Sequence, residues 1–374
     1  MNEVFIDITE RTEDASCSES AVLRVAAKDA DGTVLSKGKF TLTHSSYGET
    51  NIKTLLAGGI ATPVEYRRGG NIRKMFDYMH SFAAEEGAAV ALLHPFSFSY
   101  YRKFAYERVA DHVIARFQTR MLDFAERKCE FVRYDSSKLS DMQKIYREFS
   151  KGRNLLLPRN DGKRYTKDGW ETYIYYEGTE PAAYVVFSTS KKMAVNHYTE
   201  TLLSVRELAY TSPAALGRIF SFLRMFEGEF DEIEIYDVSL CPEVDMMLKH
   251  YTHTSYTVVP DISARVLNTE KLLSSNTYPK REGEFTVRIV DNLPSTEGIY
   301  RVSYGGGDCR VTRLCENASV DAVLTASAFV QLAYGYHSLG APNAKYIDGF
   351  EMCSDCEEIF RAFPKKPCGV FEHF

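Results

Sequence analysis

Apolar and polar side chains alternate with a period of two through much of the first sixty residues. The clearest runs are residues 21–25, 39–43 and 55–62, and an Asp-Gly pair at Asp31 and Gly32 lies between the first two. A period of two is typical of a strand with one buried face, and an Asp-Gly pair favours a tight turn between antiparallel strands. The pattern therefore predicts antiparallel strands over these three runs.

The period changes to that of a helix at Asn71. Apolar residues then recur three or four positions apart, at Ile72, Met75, Phe76, Met79 and Phe82. This spacing places them on one face of a helix, which we expect to end at Glu85, Glu86 and Gly87. A buried strand at 90–93 and a short helix at 98–104 are predicted to follow.

The middle of the chain also mixes helical and strand-like patterns, from about Phe131 onwards. The predicted helices are 141–149 and 213–226, with Pro213 at a position that favours a helix start. The predicted strands are 173–176, 183–187 and 233–236. This mixture indicates a second α+β unit.

A polar linker at 274–283 precedes a third unit. We predict strands at 285–290 and 298–302, a glycine hairpin turn at 304–308, a largely apolar helix at 321–336 and an acidic amphipathic helix at 351–363. The triple glycine neither follows a parallel-strand pattern nor opens a helix, so it is interpreted as a turn and not as a phosphate loop. A length of 374 residues also favours more than one domain.

Composition and charge narrow the functional classes. Hydrophobic residues make up 44% and charged residues 26%, which is usual for a globular protein. A net charge of -6 disfavours broad nucleic-acid binding, which needs a basic surface. No apolar run approaches the length of about 18 residues that a membrane span requires. The polar, acidic amino terminus does not resemble a signal peptide, so a cytoplasmic location is expected.

Eight cysteines are scattered along the chain, a distribution that indicates reduced thiols and not a disulfide framework. Cys353 and Cys356, with Cys368 and His373 downstream, have the residue types of a zinc site. The amphipathic helix predicted over the same residues is the better interpretation. We therefore predict no metal.

The candidate chemistry lies between the third strand run and the first helix. Arg67, Arg68, Gly69 and Gly70 form a turn that opens the helix at Asn71. The first turn of a helix has free backbone N–H groups and a positive dipole end, which together favour an anion such as pyrophosphate. Glycine allows a ligand to approach the backbone closely, and arginine adds charge-assisted contacts. A basic turn without a ligand is the alternative.

This turn resembles the R/Q-x-x-G-x-G/A acetyl-CoA motif of the GNAT superfamily. Arg67 and Gly70 match, whereas Ile72 stands where a small residue is usual. The Eis ("enhanced intracellular survival") group also tends to have a larger aliphatic residue there. A second Eis-like segment follows the next strand, and its matching residues are His94, Tyr101, Phe104 and Tyr106.

The resemblance extends over most of the chain. Trp170, the strand at 184–187, residues 205–208 and the aromatic, acidic ending at 370–374 resemble the later parts of Eis proteins. The resemblance to Eis proteins implies an α+β chain of two tandem GNAT-like mixed-sheet domains, followed by a sterol-carrier-protein-like α+β domain. The predicted bounds are 1–128 with the acetyl-CoA site, 129–278 without cofactor, and 279–374. The resemblance also implies that the protein forms a homo-oligomer, namely a hexamer.

The amino terminus departs from the usual GNAT pattern. Residues 1–20 are too few for the first strand and two helices that usually open a GNAT fold. Those helices normally form a wall of the acceptor pocket. Acceptor size and specificity therefore do not follow from the resemblance.

The resemblance implies transfer of acetyl from acetyl-CoA, as co-substrate, to a primary amine on a small molecule or peptide. The amine attacks directly, so no cysteine nucleophile is needed. Tyr101 is implied as the general acid and the C-terminal carboxylate of Phe374 as the general base. The residues implied in binding acetyl-CoA are Ile60, Ala61, Thr62, Arg67, Arg68, Gly69, Gly70, Asn71, Ile72 and Phe96.

Several alternatives stay open on the sequence. Tyr101 has a simpler interpretation as a packed aromatic, and Phe374 as the end of a frayed tail. Another dual-GNAT transferase, such as an N-myristoyltransferase-like or aminoacyl-transferring enzyme, is one alternative function. A degenerate GNAT and sterol-carrier-like binding protein without catalysis is the other. Aminoglycosides, polyamines, lysine side chains and peptide N-termini all fit as acceptors.

Overall fold

The computed structural model describes residues 4–14, 17–193, 199–337 and 340–374. By its residue contacts the chain forms two compact units. The first comprises Met1–Ala110, Asp261–Cys368 and Glu372–Phe374, and the second comprises Asp111–Pro260 and Gly369–Phe371. Most of the predicted third range, 279–374, is thus grouped with the first. The three predicted domain bounds stay a sequence-based prediction.

The secondary structure of the described residues mixes strands and helices throughout. The strands are β1 (Phe5–Asp14), β2 (Cys17–Lys28), β3 (Val34–Gly48), β4 (Thr50–Ala61), β5 (Val90–Leu93), β6 (Glu107–Arg108), β7 (Asp111–Gln118), β8 (Phe131–Arg133), β9 (Arg153–Asn154), β10 (Glu171–Glu177), β11 (Glu180–Met193), β12 (Thr199–Tyr210), β13 (Glu232–Ile235), β14 (Ser255–Pro260), β15 (Ser263–Val266), β16 (Gly283–Val290), β17 (Gly298–Gly305), β18 (Asp308–Leu314), β19 (Ala322–Thr325) and β20 (Phe350–Met352). The helices are α1 (Asn71–Glu85), α2 (Phe98–Tyr101), α3 (Leu139–Ser150), α4 (Pro213–Arg224), α5 (Pro242–Met247), α6 (Thr269–Ser274), α7 (Ala326–Ala333), α8 (Ala341–Ala344) and α9 (Glu358–Arg361).

The first sheet of the first unit follows the order β1-β2-β3-β4-β5-β15-β6. Strands β1 to β4 are an antiparallel meander, as the period-two runs predict, and β4 pairs with β5 in parallel. A parallel connection needs a crossover, which α1 supplies. The predicted apolar face of α1 is confirmed, because Met75, Phe76 and Met79 are fully buried.

Strand β1 corrects one expectation about the amino terminus. Residues 1–20 do contain the first strand, which pairs antiparallel with β2. Only two residues separate Asp14 at the end of β1 from Cys17 at the start of β2. That gap is too short for two helices. Residues 1–20 therefore have room for the strand, contrary to the expectation, but not for the strand and both helices.

The second sheet of the first unit has the order β18-β17-β16-β19-β20. Its first three strands are antiparallel and confirm the predicted hairpin, with Gly306 and Gly307 at positive φ in the turn. A sterol-carrier-like identity of this part stays a proposal.

Two predicted helices in this part are shorter than expected, and the residues before each helix form strands instead. Residues 322–325 form β19, parallel to β16, and α7 begins only at Ala326, where the Thr325 hydroxyl caps it. A short apolar run does not distinguish a buried strand from a helix, and pairing with β16 decides. Of the acidic helix predicted at 351–363, only α9 (Glu358–Arg361) is helical. Phe350–Met352 is a strand paired with β19.

The second unit is a mixed sheet in the order β14-β7-β13-β12-β11-β10-β8. The pair β12 and β13 is parallel and the other pairs are antiparallel. Helices α3 and α4 begin and end within a few residues of the predicted ones. Phe149, Tyr184 and Phe220 are buried in its core. Within the described residues of either unit, no helix has the length and apolar character needed to cross a membrane.

A buried ion pair ties two distant parts of the first unit together. Arg265 on β15 and Asp291, just after β16, have side chains only 5% exposed, with 3.1 Å between Nη2 and Oδ2. The same guanidinium donates to the carbonyl of Phe104 and to the Asn292 side chain. Burial raises the pKa of Asp291 despite the opposing effect of Arg265. Through its bond to the Phe104 carbonyl, this ion pair, which is largely shielded from water, holds the segment after α2 in place.

We expect Asp291→Ala to lower the free energy of unfolding by about 3 kcal/mol, because it leaves the Arg265 charge buried without its counterion. Urea-induced equilibrium unfolding measures the change. Glu316→Ala is the matched control, since it removes an ion pair between largely exposed Arg288 and Glu316 and should cost less than about 1 kcal/mol. Equal effects of the two substitutions would contradict this account.

Candidate active site

The site begins where two parallel strands separate. Strands β4 and β5 pair from Thr54 and Val90 to Leu56 and Leu92, and the pairing then stops although β4 continues to Ala61. A bulge lies in the same stretch of β4, because Lys39 pairs with Gly58 but Lys37 pairs with Ala61. A bulge bends its strand away from the partner. The result is an opening at the carboxyl ends of the parallel strands, which is where ligands bind in open mixed sheets.

A cleft of about 820 Å³ occupies this opening. Its lining includes every residue predicted to bind acetyl-CoA and the predicted acid: Ile60, Ala61, Thr62, Arg67, Arg68, Gly69, Gly70, Asn71, Ile72, Phe96 and Tyr101. The fold thus brings these residues to one place, whereas their roles stay predictions.

Sequence reasoning missed four lining residues: Tyr66, Arg73, Tyr100 and Phe104. Arg73 carried a usable signal. It lies in the first turn of α1, where a positive charge opposes the helix dipole and no acidic residue accompanies it. A bound anion at this turn would offset the repulsion between the arginine and the positive end of the helix dipole. The helical turn that starts at α2 places Tyr100 and Phe104 in the cleft lining with Tyr101. This placement could be derived only after the structure showed α2.

The turn before α1 leaves the helix start open. Gly70 precedes the helix with φ +77° and provides no capping side chain, and Arg68 also has a positive φ of +67°. The turn is fixed by two other bonds. Arg67 Nε donates to Thr62 O at 3.2 Å, and Asn71 Nδ2 donates to Tyr66 O at 3.3 Å. The N–H groups of the first turn therefore remain available to an anion beside three arginines.

The equivalent position in the second unit is closed. The parallel pair β12 and β13 stops at Val205 and Ile235, as β4 and β5 do. Helix α4, however, begins with Pro213, which has no N–H, and Ser212 Oγ accepts the N–H of Ala215 at 3.1 Å. Arg206 also covers the ring of Tyr236, with 4.5 Å between Cζ and the ring centroid. These contacts favour the prediction that this unit binds no cofactor.

Tyr101 ends α2, which Ser97 caps by accepting the N–H of Tyr100. Its ring is 5% exposed and contacts the rings of Phe76, Phe96 and Tyr100. Burial, with a smaller contribution from Tyr100, raises the pKa of Tyr101 to about 12. The phenol is therefore protonated at neutral pH, so it is suited to give a proton and not to take one.

Tyr106 differs from Tyr101 in its surroundings. Its side chain is 1% exposed, and its hydroxyl lies 2.9 Å from Nε2 of the buried His80. Tyr106 does not belong to the cleft lining. These contacts agree with a packing role.

The end of the chain lies against β4. A Cβ placed on Gly58 would be 2.8 Å from both the carboxyl carbon and an oxygen of Phe374. The Phe374 ring lies 4.7 Å from the ring of His94, centroid to centroid. His94 Nε2 is 3.1 Å from Glu372 O and donates to it, since a carbonyl oxygen only accepts, and His94 Nδ1 is 2.8 Å from Asp261 Oδ1. Sequence reasoning missed Gly58 and Asp261, whose partners lie far from them along the chain.

The two cysteines considered above as zinc ligands, Cys353 and Cys356, differ in exposure. Cys353 is exposed and Cys356 is half-buried, with its thiol toward Glu284 O. Within the described residues, no group of three or more histidine, cysteine or acidic side chains is arranged to hold a metal ion.

Two parts of the sequence match family models, both described as an acetyltransferase (GNAT) domain, over residues 10–109 and 153–266. A comparison with curated protein sequences gave no match. Solved structures with a similar fold include a GCN5-related N-acetyltransferase from Anabaena variabilis, with a TM-score of 0.81, 15% identity, and coverage of 94% of this chain and 89% of that one.

Two further structures resemble the chain over a similar length. A GCN5-related N-acetyltransferase from Kribbella flavida has a TM-score of 0.77 and 14% identity, and covers 94% of this chain and 87% of that one. Eis1 from Mycobacterium abscessus has a TM-score of 0.74 and 16% identity, and covers 94% of this chain and 91% of that one. At such identities these likenesses establish a shared fold.

Proposed function

We propose that this chain, which contains two GNAT acetyltransferase domains, is an Eis-like enzyme that transfers acetyl from acetyl-CoA directly to a primary amine. One observation carries the detailed proposal. The open start of α1 and Tyr101 line the cleft where β4 and β5 separate, and the Phe374 carboxyl group lies against Gly58, which follows the last β4 residue paired with β5. In the proposed reaction the start of α1 binds the anion, the Tyr101 phenol donates a proton, and the Phe374 carboxylate accepts one.

The co-substrate would bind along the cleft. Its pyrophosphate fits the first turn of α1, where Arg67, Arg68 and Arg73 supply positive charge. Ile60 and Ala61 at the end of β4 have no β5 partner on that side, so their backbone is available to the pantetheine arm. The backbone there would also polarise the thioester carbonyl.

The transfer needs one proton acceptor and one proton donor. The carboxylate of Phe374 takes a proton from the attacking amine, whose lone pair forms the new C–N bond. The C–S bond then breaks, and the departing thiolate receives the proton of Tyr101. The proton on the carboxyl group can return to the phenolate through solvent, so the products are the acetamide and free CoA. No covalent acetyl-enzyme forms.

The test of this function is acetyl transfer by the full chain to a panel of amines, followed as free CoA release. We expect turnover with at least one primary amine and none when that amine is fully acetylated beforehand. Stabilisation by acetyl-CoA without turnover across the panel would favour the degenerate binding protein instead.

The double variant Arg67→Ala, Arg68→Ala should weaken acetyl-CoA binding by about 2–4 kcal/mol, because two charge-assisted contacts are lost. Isothermal titration calorimetry measures the affinity. Lys191→Ala, Lys192→Ala changes the net charge equally on exposed residues of β11 and is the control. Equal weakening by both pairs, or none by the first, would remove the proposed anion site.

Tyr101→Phe should keep acetyl-CoA affinity and lower kcat by roughly 10²–10⁴-fold, the usual range for a positioned acid. A group with a pKa of about 12 donates below that pH, so kcat should not decline through the range where an ordinary tyrosine, with a pKa of about 10, ionises. Tyr106→Phe is the matched control and should affect stability, since it removes the partner of His80. If Tyr106→Phe is inactive and Tyr101→Phe is active, the assignment is wrong.

One glycine added after Phe374 should abolish most turnover while folding and acetyl-CoA affinity survive. It moves the carboxylate by up to about 3.6 Å, beyond the hydrogen-bond reach of a base. Phe374→Leu keeps a carboxylate at the same position and should retain most activity, and intact-mass spectrometry verifies each chain end. Full activity of the extended protein would direct attention to Glu65, because Glu107 is held in a two-point ion pair by Arg102.

A further inference from the structure

Gly58 lies where the sheet meets the end of the chain. A side chain there would begin 2.8 Å from two atoms of the Phe374 carboxyl group, nearer than Cβ atoms come to other heavy atoms in proteins. The obstacle is backbone, not the movable end of a side chain. We infer that Gly58 is a positioning residue, whose missing side chain provides the space in which the terminal carboxylate lies. This inference rests on the proposed function of that carboxylate.

The backbone at Gly58 gives no other reason for a glycine. Gly58 is not among the residues with positive φ, and it pairs with Lys39 of β3 immediately before the bulge begins. Its neighbour Gly59 is different, because its φ of +59° belongs to the bulge. Glycine weakens a strand interior and there often marks the close approach of another backbone. For Gly58 that other backbone is the carboxyl group of Phe374.

The tail has little freedom to move away. His94 holds the carbonyl of Glu372 at 3.1 Å and packs on the Phe374 ring, and Asp261 holds the other nitrogen of His94. An added methyl group needs at least about 3.4 Å, the ordinary contact distance, so the carboxylate must shift by at least about 0.6 Å or release these contacts. A displacement near 1 Å at a reacting group costs up to about 100-fold in rate.

The direct experiment is Gly58→Ala in the full chain. We expect kcat to fall about 10- to 100-fold while acetyl-CoA affinity, measured by calorimetry, stays within about twofold. Gly217→Ala on α4 is the matched control, since the nearest atom to its added Cβ is at an ordinary 3.8 Å. That variant should keep full activity. Unchanged kcat in Gly58→Ala would overturn the inference.

A second measurement shows whether the effect acts through the tail. Any loss of melting temperature caused by Gly58→Ala should shrink or disappear when Phe374 is also deleted, because the atoms that meet the methyl group are then gone. If Gly58→Ala alone does not fold, the doubly changed protein should. A loss that persists undiminished without Phe374, or failure of both proteins to fold, would mean that the methyl group disturbs β4 itself and would overturn the inference.

The outcome for Gly58 is separable from that of the proposed function. If the glycine-extended protein is fully active, the carboxylate is not the base and the proposed mechanism fails. If the extended protein is inactive and Gly58→Ala is fully active, the mechanism stands and only the role of Gly58 is wrong.

Discussion

The separation of β4 from β5 is the constraint on which the site depends. Beyond Leu56 and Leu92 the two strands no longer share hydrogen bonds, so the β4 backbone on that side must find partners elsewhere. The bulge at Gly58 to Ala61 and the open start of α1 belong to the same region. The missing pairing exposes strand and helix N–H groups together, as the proposed acetyl-CoA site requires.

The first unit completes this site with residues from far along the chain. Strand β15 lies between β5 and β6 in its sheet, and Arg265 on that strand binds the carbonyl of Phe104 and the carboxylate of Asp291. Asp261 and the last three residues belong to the same compact unit. A segment as short as α2 contributes little stability of its own, and Arg265 holds the carbonyl of Phe104 three residues after Tyr101.

The second unit repeats the strand separation and shows how such an opening is closed. A capped helix start that begins with proline offers fewer free N–H groups, and Arg206 lies over Tyr236 where the strands part. The two units thus share a fold and differ in local chemistry. Fold alone does not make a cofactor site; the unsatisfied backbone groups and the charges around them do.

Features that depend on near neighbours follow from the amino-acid order alone: the period-two strands, the face of α1, and the Arg-Arg-Gly-Gly turn with Tyr101 one strand later. Periodicity, capping and turn chemistry act within a few residues, so they can be read along the chain. Domain bounds, a sterol-carrier-like third part and a hexamer stay predictions. Long-range packing, in contrast, makes residues 322–325 a strand, brings Arg265 to Asp291, and places Gly58 against the carboxyl group of Phe374. Each of these depends on a partner distant in sequence, and no local pattern records which partner the fold supplies.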